Sequence, residues 1–110
     1  MKPAPDALFA RTLARLREIC LAFPESSEKQ AWGHPTFRAG KKIFATLGTY
    51  DGEVSFGFKP DEASYRRLVG DPRCFVPPYV GHLGWLSMRV RGPLDGAEAR
   101  ALCEQSYRQG

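Results

Sequence analysis

The sequence predicts an α+β domain: one antiparallel sheet covered by helices, in the order α-β-β-β-α-β-β-α, with a further strand allowed near Trp32. Three observations carry this. An apolar stripe at helical spacing opens the chain, runs alternating with period two and punctuated by glycine turns fill its middle, and a helix-start signal at Asp95 begins the last segment. With 110 residues, 43% hydrophobic and 25% charged, the chain has room for one modest core, so residues 1–110 are expected to form a single domain.

In chain order, Pro5 and Asp6 start a helix in which Phe9, Leu13, Leu16, Cys20 and Phe23 form one apolar stripe, with Arg11, Arg15 and Glu18 turned away and Pro24 as the stop. Glu25 to Glu28 read as a polar turn. An antiparallel meander follows, in which Ile43, Ala45 and Leu47 alternate with Phe44 and Thr46, and Val54, Phe56 and Phe58 alternate with Ser55 and Gly57. Ala39-Gly40 closes one hairpin. Asp51-Gly52 closes the next, because both residues tolerate positive φ. Pro60 and Asp61 start a short helix that packs Tyr65, Leu68 and Val69 inward and is capped by Gly70. Arg73 to Val76 reads as a short strand. After it, Pro77 and Pro78 bar a helix, and Gly81 and Gly84 let the chain turn around His82 and Leu83. From Trp85 to Arg91 the chain alternates again: Leu86, Met88 and Val90 face a core, leaving Trp85, Ser87, Arg89 and Arg91 on a working face. Asp95 and Glu98 have the spacing of a capping box for a last helix that packs Ala99, Leu102, Cys103 and Tyr107 on the sheet.

Charge is segregated along the chain. The net charge is +4, yet residues 29–50 and 63–94 each carry +4, against 0 for 1–28, −3 for 51–62 and −1 for 95–110. That distribution suggests an anion-facing side built from the first hairpin tip, with Arg38, Lys41 and Lys42, and the strand bearing Arg89 and Arg91. The two groups are expected on the same side of the molecule. A solvated basic face without a partner is the plainer alternative.

Other chemistries find few ingredients. His34 and His82 are the sole histidines, the carboxylates fall in turns and helix starts, and the glycines form neither a P-loop nor a dinucleotide fingerprint. Cys74 and His82 could be drawn as nucleophile and base, but Cys74 sits in an apolar run where a buried thiol is inert. No catalytic residue, metal ligand or cofactor is assigned. Cys20, Cys74 and Cys103 are odd in number and lack Cys-x-x-Cys spacing, so they are expected reduced and buried. Without a signal peptide or an apolar run of membrane-spanning length, a cytoplasmic location and no membrane partner are expected. The apolar stripes can all be used in one core, which suits a monomer.

The stretch "PPYVGHLGWLSMRV" resembles the signature of the MmcQ/YjbR family of small bacterial proteins. "WGHPTFRAGKKIFATL" (Trp32 to Leu47) is similar to that family's first hairpin, and "CEQSYRQ" (Cys103 to Gln109) to the end of its last helix. The resemblance implies a fold like that of secretion chaperones and a DNA-binding, double-wing description. On that reading Arg38, Lys41, Lys42, Arg89 and Arg91 contact phosphates of DNA or another nucleic acid, while Trp85 or His82 stacks on a base. The alternative from a different class is a protein- or small-ligand-binding module using the sheet face or the aromatic corner at Tyr79 and Trp85.

Overall fold

The computed structural model describes residues 5–109. Helix α1 (Pro5–Cys20) leads to four consecutive strands, β1 (Ser26–Ala31), β2 (His34–Ala39), β3 (Lys42–Tyr50) and β4 (Glu53–Phe58). Helix α2 (Glu62–Leu68), the two-residue β5 (Cys74–Phe75), a 3-10 turn at Gly81–Leu83, β6 (Leu86–Val90) and α3 (Gly96–Arg108) complete the chain. The strands form one sheet in the order β1-β2-β3-β4-β6-β5, every neighbouring pair antiparallel.

Alternation divides the sheet. Ala45, Leu47, Val54, Phe56, Phe58, Leu86, Met88 and Val90 are buried on one face, against which α1 and α3 pack. Phe37, Phe44, Phe56 and Phe58 are fully or almost fully buried there, each side chain contributing roughly 1.5–3 kcal/mol by leaving water. The pairing shifts between Phe37 and Arg38, which stand opposite Ala45 and Ile43. Phe44 is therefore bulged out of the ladder, and it reaches the helix side to meet Phe23 and Tyr107 edge-on at 5.9 and 5.4 Å. From α3, Ser106 donates through Oγ to the Phe44 carbonyl.

Several expectations are corrected here. The segment read as a turn at 25–28 is mostly strand: β1 begins at Ser26 and pairs residue by residue with β2 from Ser26↔Ala39 to Ala31↔His34. Its sequence, SSEKQA, hid it because this edge strand buries none of its residues fully and so shows no apolar alternation, while polar residues there deter edge-to-edge association. Helix α1 stops at Cys20, before Pro24, and buries Thr12 and Ile19 as well as Leu16 and Cys20. Val69 is the C-cap of the seven-residue α2 and is exposed, not packed inward, and Gly70 lies beyond it. At α3 only half of the capping box forms. Asp95 accepts from the Ala97 and Glu98 amides at 3.0 and 3.2 Å, whereas the Glu98 carboxylate takes two bonds from Arg73 at 2.8 and 3.0 Å.

Candidate functional site

Opposite the helices, the sheet carries a groove of about 700 Å³ that no helix residue lines. Its floor is made of small side chains. Thr46, Gly57 and Ser87 lie opposite one another on β3, β4 and β6, and Gly48 lies opposite Ser55 one pleat away. Neither glycine has the positive φ that would demand glycine. A Cβ on Gly57 would run into Thr46 Oγ1 at 2.3 Å, so the threonine hydroxyl lies over that glycine; the nearest atoms to a Cβ on Gly48 belong to the His34 side chain, at ordinary contact distances of 3.6–3.9 Å.

The walls come from two turns. On one side the β1–β2 hairpin supplies Trp32 and His34; on the other, the segment after β5 supplies Pro77, Pro78, Tyr79 and Val80. Ile43 and Trp85 line the groove from the strand ends near the β2–β3 tip. Tyr50, at the end of β3, meets the Phe75 ring at a tilt of 31°, with ring centroids 4.8 Å apart. Trp32 and Tyr79 are 81% and 92% exposed, and both hold a left-handed backbone, φ 54° and 69°. Large aromatic residues rarely adopt that conformation, and such outliers gather at functional positions. Trp32 does so because it and Gly33, φ 82°, form a two-residue hairpin turn.

The second wall is rooted firmly. Arg73, just before β5, bonds both Asp71 and Glu98, the latter on α3. Its guanidinium and backbone N–H together hold the Asp71 carboxyl down at about 2. Beyond β5 the chain folds on itself through Gly81 N–H to the Pro77 carbonyl at 3.1 Å, and Gly81 lies so close to Val76 that a Cβ would fall 2.3 Å from its side chain.

The residues singled out from sequence do not all meet in this site. Trp85 lines the groove. Arg89 lies one pleat beyond Ser87, its guanidinium 4.7 Å above the Phe75 ring and 3.4 Å from Glu53. Arg91 is exposed and also bonded to Glu53, at 2.9 Å. His82 is exposed in the 3-10 turn and is not among the groove's lining residues. Arg38 donates to Thr36 Oγ1 at 3.3 Å, and exposed Lys41 and Lys42 form the β2–β3 tip. That tip and the Tyr50↔Glu53 end near Arg91 stand at opposite ends of nine-residue β3, roughly 25 Å apart at strand rise. Arg38, opposite groove-lining Ile43, and Arg89, opposite groove-lining Ser55, share the helix-free face of the sheet but stand at its two ends. Glu53 pairs with Arg89 and Arg91 at the far end. Cys20, Cys74 and Cys103 are buried and unbridged. Burial pushes the Cys74 thiol up to about 11, and its hydrogen bond with Cys103, reinforced by burial, pushes the Cys20 thiol up; these are packing thiols.

Sequence reasoning missed Trp32, Tyr50, Gly48 and Gly57 as site residues. The signal was present in the small residues that alternate with large apolar ones in three separate runs, but only the β3-β4-β6 order brings them onto one floor.

Among the described residues there is no cluster of three or more histidine, cysteine or carboxylate side chains able to hold a metal ion, and no helix is long and apolar enough to cross a membrane. The family model YjbR matches residues 21–109, and the chain belongs to that family. A crystal structure of a protein from Pseudomonas syringae is similar in fold: the TM-score is 0.68 at 16% identity, covering 87% of this chain and 96% of that one. No curated protein matches the chain.

Proposed function

We propose that the chain is a binding protein whose working surface is the helix-free face of the sheet, and that its groove takes a small, uncharged, largely apolar ligand. One observation carries this reading: none of the residues lining the 700 Å³ groove is Asp, Glu, Lys, Arg or Cys. The volume falls within the usual range for small-molecule sites, and apolar walls with a few hydroxyls are their common composition. His34 is the one histidine in the lining, with no carboxylate or thiol beside it to form an acid–base or nucleophilic pair. The test is titration with Nile red, a neutral fluorophore that brightens in apolar surroundings. Saturable brightening at one equivalent supports the reading. Brightening only after thermal unfolding contradicts it.

Nucleic-acid binding is the second reading, favoured by Arg38, Lys41 and Lys42 at the β2–β3 tip and by the net charge of +4. In it the tip is a wing on the phosphates, and Trp85 with Arg89 and Arg91 extends the contact along the sheet. The pairing of Arg89 and Arg91 with Glu53 weighs against that extension. A salt titration of binding to arbitrary duplex DNA distinguishes the two. Steep weakening with salt is the signature of phosphate contact, and absence of binding at low salt removes this reading.

A further inference from the structure

We propose, resting on the groove reading above, that the occupant is a planar, uncharged heteroaromatic small molecule that lies flat on the sheet and is held at the rim by Trp32 and Tyr79. The floor selects for flatness. Glycine within a strand weakens it and commonly marks a close approach by a ligand, and at Gly48 packing does not forbid a side chain, because a Cβ there would make only ordinary contact with His34. Leaving that position bare beside Gly57, which the Thr46 hydroxyl overlies, keeps a shallow level bed between taller walls.

Charge complementarity disfavours ions. A charged group seated on this floor would lose hydration with no opposite charge in the lining to replace it, and the nearest guanidinium, that of Arg89 over Phe75, is already paired with Glu53. The hydroxyls of Thr46, Ser55 and Ser87 instead offer donors and acceptors to the polar edge of a ring, as in sites where a few placed polar groups orient an otherwise apolar ligand. The rim supplies the faces: among the described residues Trp32 and Tyr79 are the two most exposed large apolar ones, and both line this groove. Stacking on such rings discriminates for flat π-systems over saturated bodies of similar size.

The test uses the full chain and two neutral probes, caffeine as the planar heteroarene and cyclohexanecarboxamide as the saturated ring, followed by amide chemical shifts. Caffeine is expected to shift Gly48, Gly57 and Ser87 saturably, and to bind at least about tenfold more tightly than the carboxamide, the ratio that a single stacking contact supplies. Trp32→Ala and Tyr79→Ala should each weaken caffeine by about fivefold or more without changing the melting temperature, since both side chains are exposed. Equal or tighter binding of the carboxamide at the same amides overturns the planar assignment and leaves the groove reading standing. If neither probe moves those amides and Nile red also fails, both readings fall. A thymidine oligonucleotide that displaces caffeine in a salt-sensitive manner overturns the small-molecule assignment in favour of a single strand.

Discussion

Gly48 and Gly57 occupy neighbouring strands and the same floor, yet opposite outcomes follow from substituting them. Gly48→Ala places a methyl at ordinary contact distance from His34 and restricts the unfolded chain, so it should raise stability by about 0.4–1 kcal/mol while weakening whatever binds the groove. Gly57→Ala drives a Cβ into Thr46 Oγ1 and should cost about 1–3 kcal/mol. Adding Thr46→Ala, which removes that hydroxyl, should recover most of the loss. Thermal melts of the three variants check the set, and a destabilising Gly48→Ala would show that the position serves packing. The cysteines give a separate check. Because all three thiols are buried and those of Cys20 and Cys74 are pushed up, iodoacetamide should spare the native chain and label all three only after unfolding, and reductant should leave the melt unchanged. Their burial was legible in advance, since each lies in or beside an apolar stripe. Tyr79 was legible as part of an aromatic corner that could bind, whereas Trp32 was not, because its segment read only as a further strand until the backbone shows it standing in solvent at a hairpin turn.

At the scale of elements, the salt-bridged root of the groove wall is open to a pH test. Asp71 is held at about 2, below its ordinary 3.8, by Arg73. The stability it confers is therefore complete above pH of about 4 and is lost as pH falls from there toward about 2. Asp71→Asn should melt below the wild type at neutral pH, with the gap closing through that window. A gap that persists to pH of about 2 would show that the ion pair is not its source. The elements themselves were readable where local chemistry decides them. Asp51-Gly52, with φ 54° and 78°, turns between β3 and β4, and Asp61 and Asp95 accept the bonds that start α2 and α3. Tertiary context decided the remainder. Polar β1 exists because β2 offers it an edge, and Glu98 left its box because Arg73 lies within reach.

For the molecule as a whole, the distribution of charge along the chain was a poorer guide than its distribution in space. The −3 segment at 51–62 folds against the arginine strand, and Glu53 meets both Arg89 and Arg91. Glu53→Gln should accordingly leave the groove unaltered but release positive charge at the Asp51-Gly52 end. If nucleic acid binds anywhere on the chain, that change strengthens binding and steepens its salt dependence. Lys41→Ala with Lys42→Ala should instead flatten the slope by nearly two units, because each phosphate a lysine neutralises releases about 0.9 of a counterion. Sequence order alone supplied the layers and the core face, because alternation and helical spacing follow from burial. It could not supply a groove whose parts come from three strands and two turns.

The most direct measurement is the Nile red affinity of two folded variants beside the wild type: Gly48→Val, which fills the floor, and Lys41→Ala with Lys42→Ala, which strips the basic tip. Valine is expected to abolish the saturable fluorescence, while the lysine variant binds as the wild type does. Wild-type affinity in Gly48→Val, with the loss appearing in the lysine variant, would contradict the groove reading and move the working surface to the tip.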